Sequence, residues 1–188
     1  MEALFVSMSI VALAEIGDKT QLLAFILAAR FKQPLPIILG IFVATFINHG
    51  LAGAAGAWII TVIPQEALRW LIAILFIGMG IWTLIPDKIE ACEAEGTKMF
   101  GVFGTTFVAF FLAEIGDKTQ IATITLTAHY AAPIQVIIGT TLGMLLADVP
   151  AVLIGNKFAE KIPMKLVNSI TAVIFILMGF LTLFFKYD

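Results

Sequence analysis

The chain has 188 residues, of which 61% are hydrophobic and only 13% are charged, and its mean hydropathy is +1.05. A soluble domain carries about a quarter charged residues and leaves much of its surface in water, so this composition excludes a water-soluble globular protein. A net charge of −2 supplies no basic patch for nucleic acid, and the single cysteine, Cys92, excludes an internal disulfide and a multi-thiolate metal site.

A membrane-crossing helix takes roughly 20 apolar residues. Breaks that pair proline with polar residues fall at 30–34, 64–66, 86–88, 129–133 and 156–163. They leave six apolar segments, at 3–29, 35–63, 67–85, 100–128, 134–155 and 164–185. The start, Met1-Glu2-Ala3, has no basic n-region, so the first segment is expected to be a retained span and not a signal peptide. The loops after segments one, three and five hold Arg30, Lys32, Lys88, Lys98, Lys157, Lys161 and Lys165, against Arg69 and Lys186 on the other side. The positive-inside rule then puts those three loops in the cytoplasm and both termini outside. The acidic stretch 87–99, with Asp87, Glu90, Glu93 and Glu95, reads as a solvated cytoplasmic linker.

The nine residues 13–21, Leu-Ala-Glu-Ile-Gly-Asp-Lys-Thr-Gln, recur letter for letter at 112–120. The same offset of 99 carries Pro34 onto Pro133, Gly40 onto Gly139, Gly56 onto Gly155, Pro64 onto Pro163 and Met79-Gly80 onto Met178-Gly179. The chain is a duplication. Each copy holds three segments, an odd number, so the second copy must insert with opposite polarity. The expected fold is an all-α membrane protein of six transmembrane helices in two inverted three-helix repeats. Its parts are the first repeat at 1–86, the linker at 87–99 and the second repeat at 100–188, together one transport domain. Such an architecture suits alternating access around a central site.

The repeat also carries the chemistry. Glu15 and Asp18 sit near the middle of the first segment, and Glu114 and Asp117 hold the matching place in the fourth. With Lys19 and Lys118 they make six charged groups near mid-membrane, each costing about 2.5–3.5 kcal/mol even on insertion scales. Glu15 and Asp18 are three apart and Glu15 and Lys19 four apart, so all three share one helical face. Gly17 between them lets a backbone or an ion come close. Thr20, Gln21, Thr119 and Gln120 add neutral oxygens. The four carboxylates and two lysines sum to −2, the complement of one divalent cation. Oxygen ligands favour hard cations such as Ca²⁺, Mn²⁺ or Mg²⁺, and crowded carboxylates that lose their metal hold protons instead, the basis of cation/proton exchange. A purely structural alternative is a pair of i,i+4 ion pairs, Glu15–Lys19 and Glu114–Lys118, gluing the bundle.

Asn48-His49 in the second segment aligns with Ala147-Asp148 in the fifth, which breaks the symmetry. Asn48, His49 and Asp148 form a secondary polar set. His49 could add a nitrogen ligand favouring Mn²⁺ over Ca²⁺ and Asp148 could carry a proton, while hydrogen bonding between helices is the simpler role for Asn48 and His49. The run 51–57, Leu-Ala-Gly-Ala-Ala-Gly-Ala, reads as a close-packing face. Trp58, Trp70 and Trp82 lie near proposed span ends, as interfacial anchors do.

Two copies of Glu-Ile-Gly-Asp-Lys-Thr, in the first and fourth of six segments, resemble the cation/proton exchanger family of bacterial manganese exporters and Golgi manganese/calcium transporters. The family signature is Glu-x-Gly-Asp-(Lys/Arg)-(Thr/Ser) in each half, and both copies match it at every position. The resemblance covers essentially the whole chain. It implies that Glu15, Asp18, Glu114 and Asp117 bind the cation, and that Mn²⁺, or Ca²⁺, is exchanged for protons. The long N-terminal extension of organellar members is missing here, so the likeness points to a bacterial inner-membrane manganese exporter. The implied partners are these cations, protons and the lipid bilayer, with no nucleic acid and no bound cofactor, and a homo-oligomer is compatible with the sequence. A passive divalent-cation channel and a small exporter of amino acids or organic cations are the competing readings. An intramembrane aspartyl protease fits poorly, because glutamates and lysines accompany both aspartates, and no enzyme is expected.

Overall fold

The computed structural model describes residues 1–84, 101–154 and 164–184, and every element described is helical. In chain order these are α1 (Glu2–Glu15), α2 (Lys19–Phe31), α3 (Pro34–Val62), α4 (Gln65–Thr83), α5 (Gly101–Glu114), α6 (Lys118–Tyr130), α7 (Pro133–Ile154) and α8 (Met164–Phe184). The linker 87–99 with Cys92, and the loop residues Lys88, Lys98, Lys157, Lys161 and Lys186, lie outside the described residues.

Prolines fix where the long helices start. Pro34 and Pro133 stand in the first turns of α3 and α7, where a missing N–H leaves nothing unsatisfied, and Pro64 caps α4. Helices α2 and α6 both stop on a left-handed residue, Lys32 (φ 53°) and Ala131 (φ 49°), positions related by the repeat offset. Each of these residues donates its N–H back into the last turn, Lys32 to Ala28 O at 3.0 Å and Ala131 to Thr127 O at 2.9 Å.

Among the described residues, three helices, Pro34–Val62, Gln65–Thr83 and Pro133–Leu153, are long and apolar enough to cross a membrane, and Gly101–Glu114 and Ser169–Phe184 are shorter apolar helices. Large apolar side chains such as Phe42, Phe46, Leu51, Ile74, Leu146 and Leu153 stand exposed along them. The exposed apolar surface spreads over most helices, as lipid contact requires. The first and fourth apolar segments are not continuous helices. Each breaks at its repeated motif, between α1 and α2 and between α5 and α6. That corrects the reading of Glu15, Asp18 and Lys19 as one helical face.

The halves pack by exchanging equivalent contacts. Helix α1 lies on α7 as α5 lies on α3, while α4 pairs with α8. Glycines set the closest approaches. A Cβ added at Gly80 would come within 2.9 Å of Ala172 O, and one at Gly179 within 3.0 Å of Ala73 O, the same contact with the halves interchanged. Within the small-residue run of α3, a Cβ at Gly56 would meet Ile124 O of α6 at 2.6 Å, so this stretch is a close-packing face. The apolar interior divides into two clusters. One joins α1 and α6 to α4 and α8 through residues such as Ile10, Ile72, Phe76, Leu126 and Phe175, and the other joins α2, α3, α5 and α7 through Leu23, Leu27, Ile41, Phe110 and Val152.

Candidate metal centre

The motif builds a helix break whose chemistry is local. Helix α1 ends at Glu15, and Ile16 turns extended (φ −60°, ψ 114°). Gly17 follows at φ +78°, and its counterpart Gly116 at φ +76°. Asp18 and Asp117 then take extended backbone angles as the N-caps of α2 and α6, and the Asp117 carboxylate accepts from the Thr119 N–H at 3.3 Å. Three residues on, Gln21 Oε1 accepts the Gly17 N–H at 2.8 Å and Gln120 Oε1 accepts the Gly116 N–H at 2.9 Å. This is a capping box displaced by one residue. The two glutamines therefore hold the break, and Gln21 also ties it to α7 by donating from Nε2 to Ala147 O at 3.0 Å.

Left-handed backbone is the cost of that geometry for any residue with a Cβ. Gly116 has open space where a Cβ would stand, so Gly116→Ala meets no clash and isolates the backbone term. It is expected to destabilise the protein by about 1–2 kcal/mol. Gly116→Asn should lose less, since asparagine tolerates this region better. Thermal unfolding of the two variants in detergent checks the order.

At the break the two halves meet through crossed ion pairs. Lys19 Nζ lies 2.9 Å from Asp117 Oδ1, and Lys118 Nζ lies 2.7 Å from Asp18 Oδ1. The lysines therefore pair with the aspartate of the opposite half, which replaces the i,i+4 glue of the sequence reading. Because Asp18 and Asp117 are balanced in this way, the net charge of the motif rests on Glu15 and Glu114. Both are fully buried. Neither Glu15 oxygen has a hydrogen-bond partner among the described residues, and Glu114 has its Oε2 3.0 Å from the Thr119 hydroxyl, which also lies 3.3 Å from Asp117 Oδ2. Glu15, Asp18 and Asp117 each offer an oxygen within 4.8 Å of the others, a spacing that a single cation can bridge. The glutamates also sit at the C-terminal ends of α1 and α5, the negative end of a helix dipole, where a cation is favoured.

The remaining polar positions fall around this centre. Asp148 on α7 is fully buried with both oxygens unpartnered among the described residues. It stands outside the three-carboxylate group. His49, its repeat equivalent on α3, is also fully buried with both ring nitrogens unpartnered among the described residues, and it too is outside that group. Asn48 bridges helices, donating from Nδ2 to Phe111 O of α5 at 3.2 Å. Thr20 is buried with its hydroxyl unpartnered among the described residues. Threonines that the sequence reading passed over are buried in both halves. Thr123 on α6 is fully buried and donates to Thr119 O at 2.8 Å, while Thr141 on α7 and Thr45 on α3 are buried with unpartnered hydroxyls among the described residues. Their signal was a hydroxyl placed repeatedly inside apolar runs.

The profile of the family described as "Divalent cation/proton antiporter GDT1" matches residues 3–91 and, separately, residues 102–188. The chain belongs to that family. Among GDT1-related proteins, one from Vibrio cholerae serotype O1, named "Putative manganese exporter", is 50% identical over 186 residues, covering 98% of this chain and 92% of its own. "GDT1-like protein 3" of Oryza sativa subsp. indica is 29% identical over 93% of this chain and 71% of its own. "GDT1-like protein 5" of Arabidopsis thaliana is 27% identical over 97% and 95%. No solved structure matches. As a GDT1 family member this is a multi-pass membrane transporter that exchanges divalent cations for protons, and the two profile matches start 99 residues apart, the offset of the repeated motif.

Proposed function

We propose that this chain exports Mn²⁺ across a bacterial inner membrane in exchange for protons, with Glu15, Asp18, Glu114 and Asp117 as its cation-binding carboxylates. The crossed lysine–aspartate pairs carry this reading, because they leave two buried glutamates uncompensated at the junction of the halves. Two negative charges among oxygen donors suit one hard divalent cation. Lys19, Lys118, Thr20 and Thr119 supply charge balance and orientation, Gln21 and Gln120 hold the break, and Asp148 carries a proton. The choice of Mn²⁺ over Ca²⁺ leans on the name of the Vibrio cholerae relative, which covers nearly the whole of both chains.

The architecture proposed with it is six spans, counting α1–α2 and α5–α6 as one broken span each, in two repeats inverted about an axis in the membrane plane. Support comes from the contacts exchanged between halves at Gly80 and Gly179 and from the matched left-handed caps at Lys32 and Ala131. Lysine and arginine placement puts both termini outside and the linker 87–99 in the cytoplasm.

The deciding experiment measures flux of Mn²⁺, Ca²⁺ and Mg²⁺ into proteoliposomes under an imposed pH gradient. Uphill Mn²⁺ movement that follows the gradient, faster than that of Ca²⁺ or Mg²⁺, is the expected result. Uphill movement of an organic cation in place of a metal would sink the proposal.

A further inference from the structure

A cavity of about 910 Å³ lies where the end of α3, the start of α4 and the ends of α6 and α8 come together, and no residue of the repeated motif lines it. Its lining is graded. Ile72 and Ala128 are buried, Ile60 and Ile63 are half-buried, and Gln65 and Glu66 are exposed at the rim. From Gln65 to Ile72 the wall made by α4 runs about 10 Å. Trp58 on α3 and Trp70 on α4 stand exposed near the same helix ends, as residues at a membrane–water interface do. Water in an apolar space of this kind finds few hydrogen bonds, so hydrocarbon is the better occupant of the inner part.

The rim carries two opposite charges. Glu66 and Arg69 are three residues apart on α4 and both line the cavity, a spacing at which they could pair with each other. Neither side chain has an ion-pair or hydrogen-bond partner among the described residues. The Arg69 Nε is buried without one, a cost that an anion removes. Helix α4 also starts at Pro64 with no side-chain cap, so its first N–H groups add positive potential at this end. The charge pair belongs to the first repeat alone, since the offset of 99 puts Lys165 and Asn168 at these positions.

We propose that this cavity binds a phospholipid whose headgroup holds both a phosphate and a primary ammonium, phosphatidylethanolamine, with the phosphate on Arg69, the ammonium on Glu66 and an acyl chain against Ile60, Ile63 and Ile72. A guanidinium presents a planar fork that matches phosphate oxygens, and an ammonium brings three donors to a carboxylate. The quaternary nitrogen of a choline headgroup brings none. Bound there, the lipid braces α4 against α6. A second cavity of about 490 Å³ shares His129 and Tyr130 with the first, but its charged lining residue is Glu2 and no cation lines it, so it offers a phosphate no partner. The inference is independent of the exchange reaction, and under the orientation proposed above the lipid comes from the outer leaflet.

The test uses the full chain, purified in detergent and stripped of lipid, with native mass spectrometry following the first lipid bound. Phosphatidylethanolamine, phosphatidylglycerol and phosphatidylcholine with the same acyl chains are titrated, and phosphoethanolamine and inorganic phosphate serve as chain-free competitors. Phosphatidylethanolamine is expected to bind about tenfold more tightly than the other two lipids, the worth of one charge-assisted hydrogen bond. It should also give the largest rise in unfolding temperature. Glu66→Gln, at an exposed position, should erase that preference and leave phosphatidylglycerol binding at least as tight. Arg69→Gln should weaken all three lipids by about tenfold. Ile63→Trp, which fills the space for the chain and keeps both charges, should weaken all three as well. Equal binding of the three lipids by the wild type overturns the inference, as does a preference that survives Glu66→Gln. Competition by phosphoethanolamine or phosphate at the lipid's own concentration overturns it too, showing a polar site with no use for the chain. The Glu66→Gln comparison decides even where Arg69→Gln fails to fold.

Discussion

Glu15→Gln and Glu114→Gln are each expected to lower Mn²⁺ flux by on the order of 100-fold or more, since even residues that only support a metal ligand change affinity by about 10–100-fold. The substitution keeps size and shape and removes one negative charge. Asp18 and Asp117 are already balanced by Lys118 and Lys19, so the glutamates supply the charge that answers a divalent ion. Stability should move the other way. A buried carboxyl is costly at neutral pH whether it stays charged or must hold a proton, and a neutral amide relieves that cost, so the metal-free variants should unfold at or above the wild-type temperature at neutral pH. What they lose is the rise in unfolding temperature on adding Mn²⁺, which measures ligand binding to the folded state. Asp18→Asn differs, because it removes the carboxylate paired with the buried Lys118. It should cost about 3–5 kcal/mol of stability as well as transport. Near-normal Mn²⁺ flux in both glutamate variants at wild-type expression would reduce the carboxylates to structural glue.

Much of this centre was legible in the sequence because it is written twice. Repetition singled out Glu15, Asp18, Glu114 and Asp117 without any structure, and prolines at 34, 64 and 133 marked helix starts. The helix break was written there too, but apolar periodicity masked it. A glycine followed by Asp-x-x-Gln is a helix N-terminus signal, and inside a long apolar stretch it is easily taken for part of a continuous helix. That one misreading decided which lysine pairs with which aspartate. In a straight helix, Lys19 sits four residues above Glu15; once Gly17 turns the backbone left-handed, Lys19 begins a new helix and reaches Asp117 in the other half.

Apparent Mn²⁺ affinity is expected to fall as pH drops, by about tenfold per pH unit for each proton the metal must displace, in the range where the carboxyls are largely protonated. The sign follows from competition. Glu15 and Glu114 are buried oxygens with at most one hydroxyl partner among the described residues, so the metal-free centre is neutralised by binding protons. A cation that takes those oxygens expels the protons, and reciprocity requires each ligand to weaken the other by the same factor. Asp148, buried with both oxygens unpartnered among the described residues, is a further carboxyl able to hold a proton, and Asp148→Asn should reduce the pH dependence while leaving the three-carboxylate group intact. Under the proposed inner-membrane location, protons running inward would drive metal outward. Vesicles loaded with a pH-sensitive dye and given Mn²⁺ on one side report the coupling directly. Proton movement opposite to the metal, persisting after the membrane potential is collapsed, is the expected outcome. Metal that crosses at an unchanged rate with no proton counter-movement would identify a passive channel, in which the buried carboxylates select the ion without coupling it to protons.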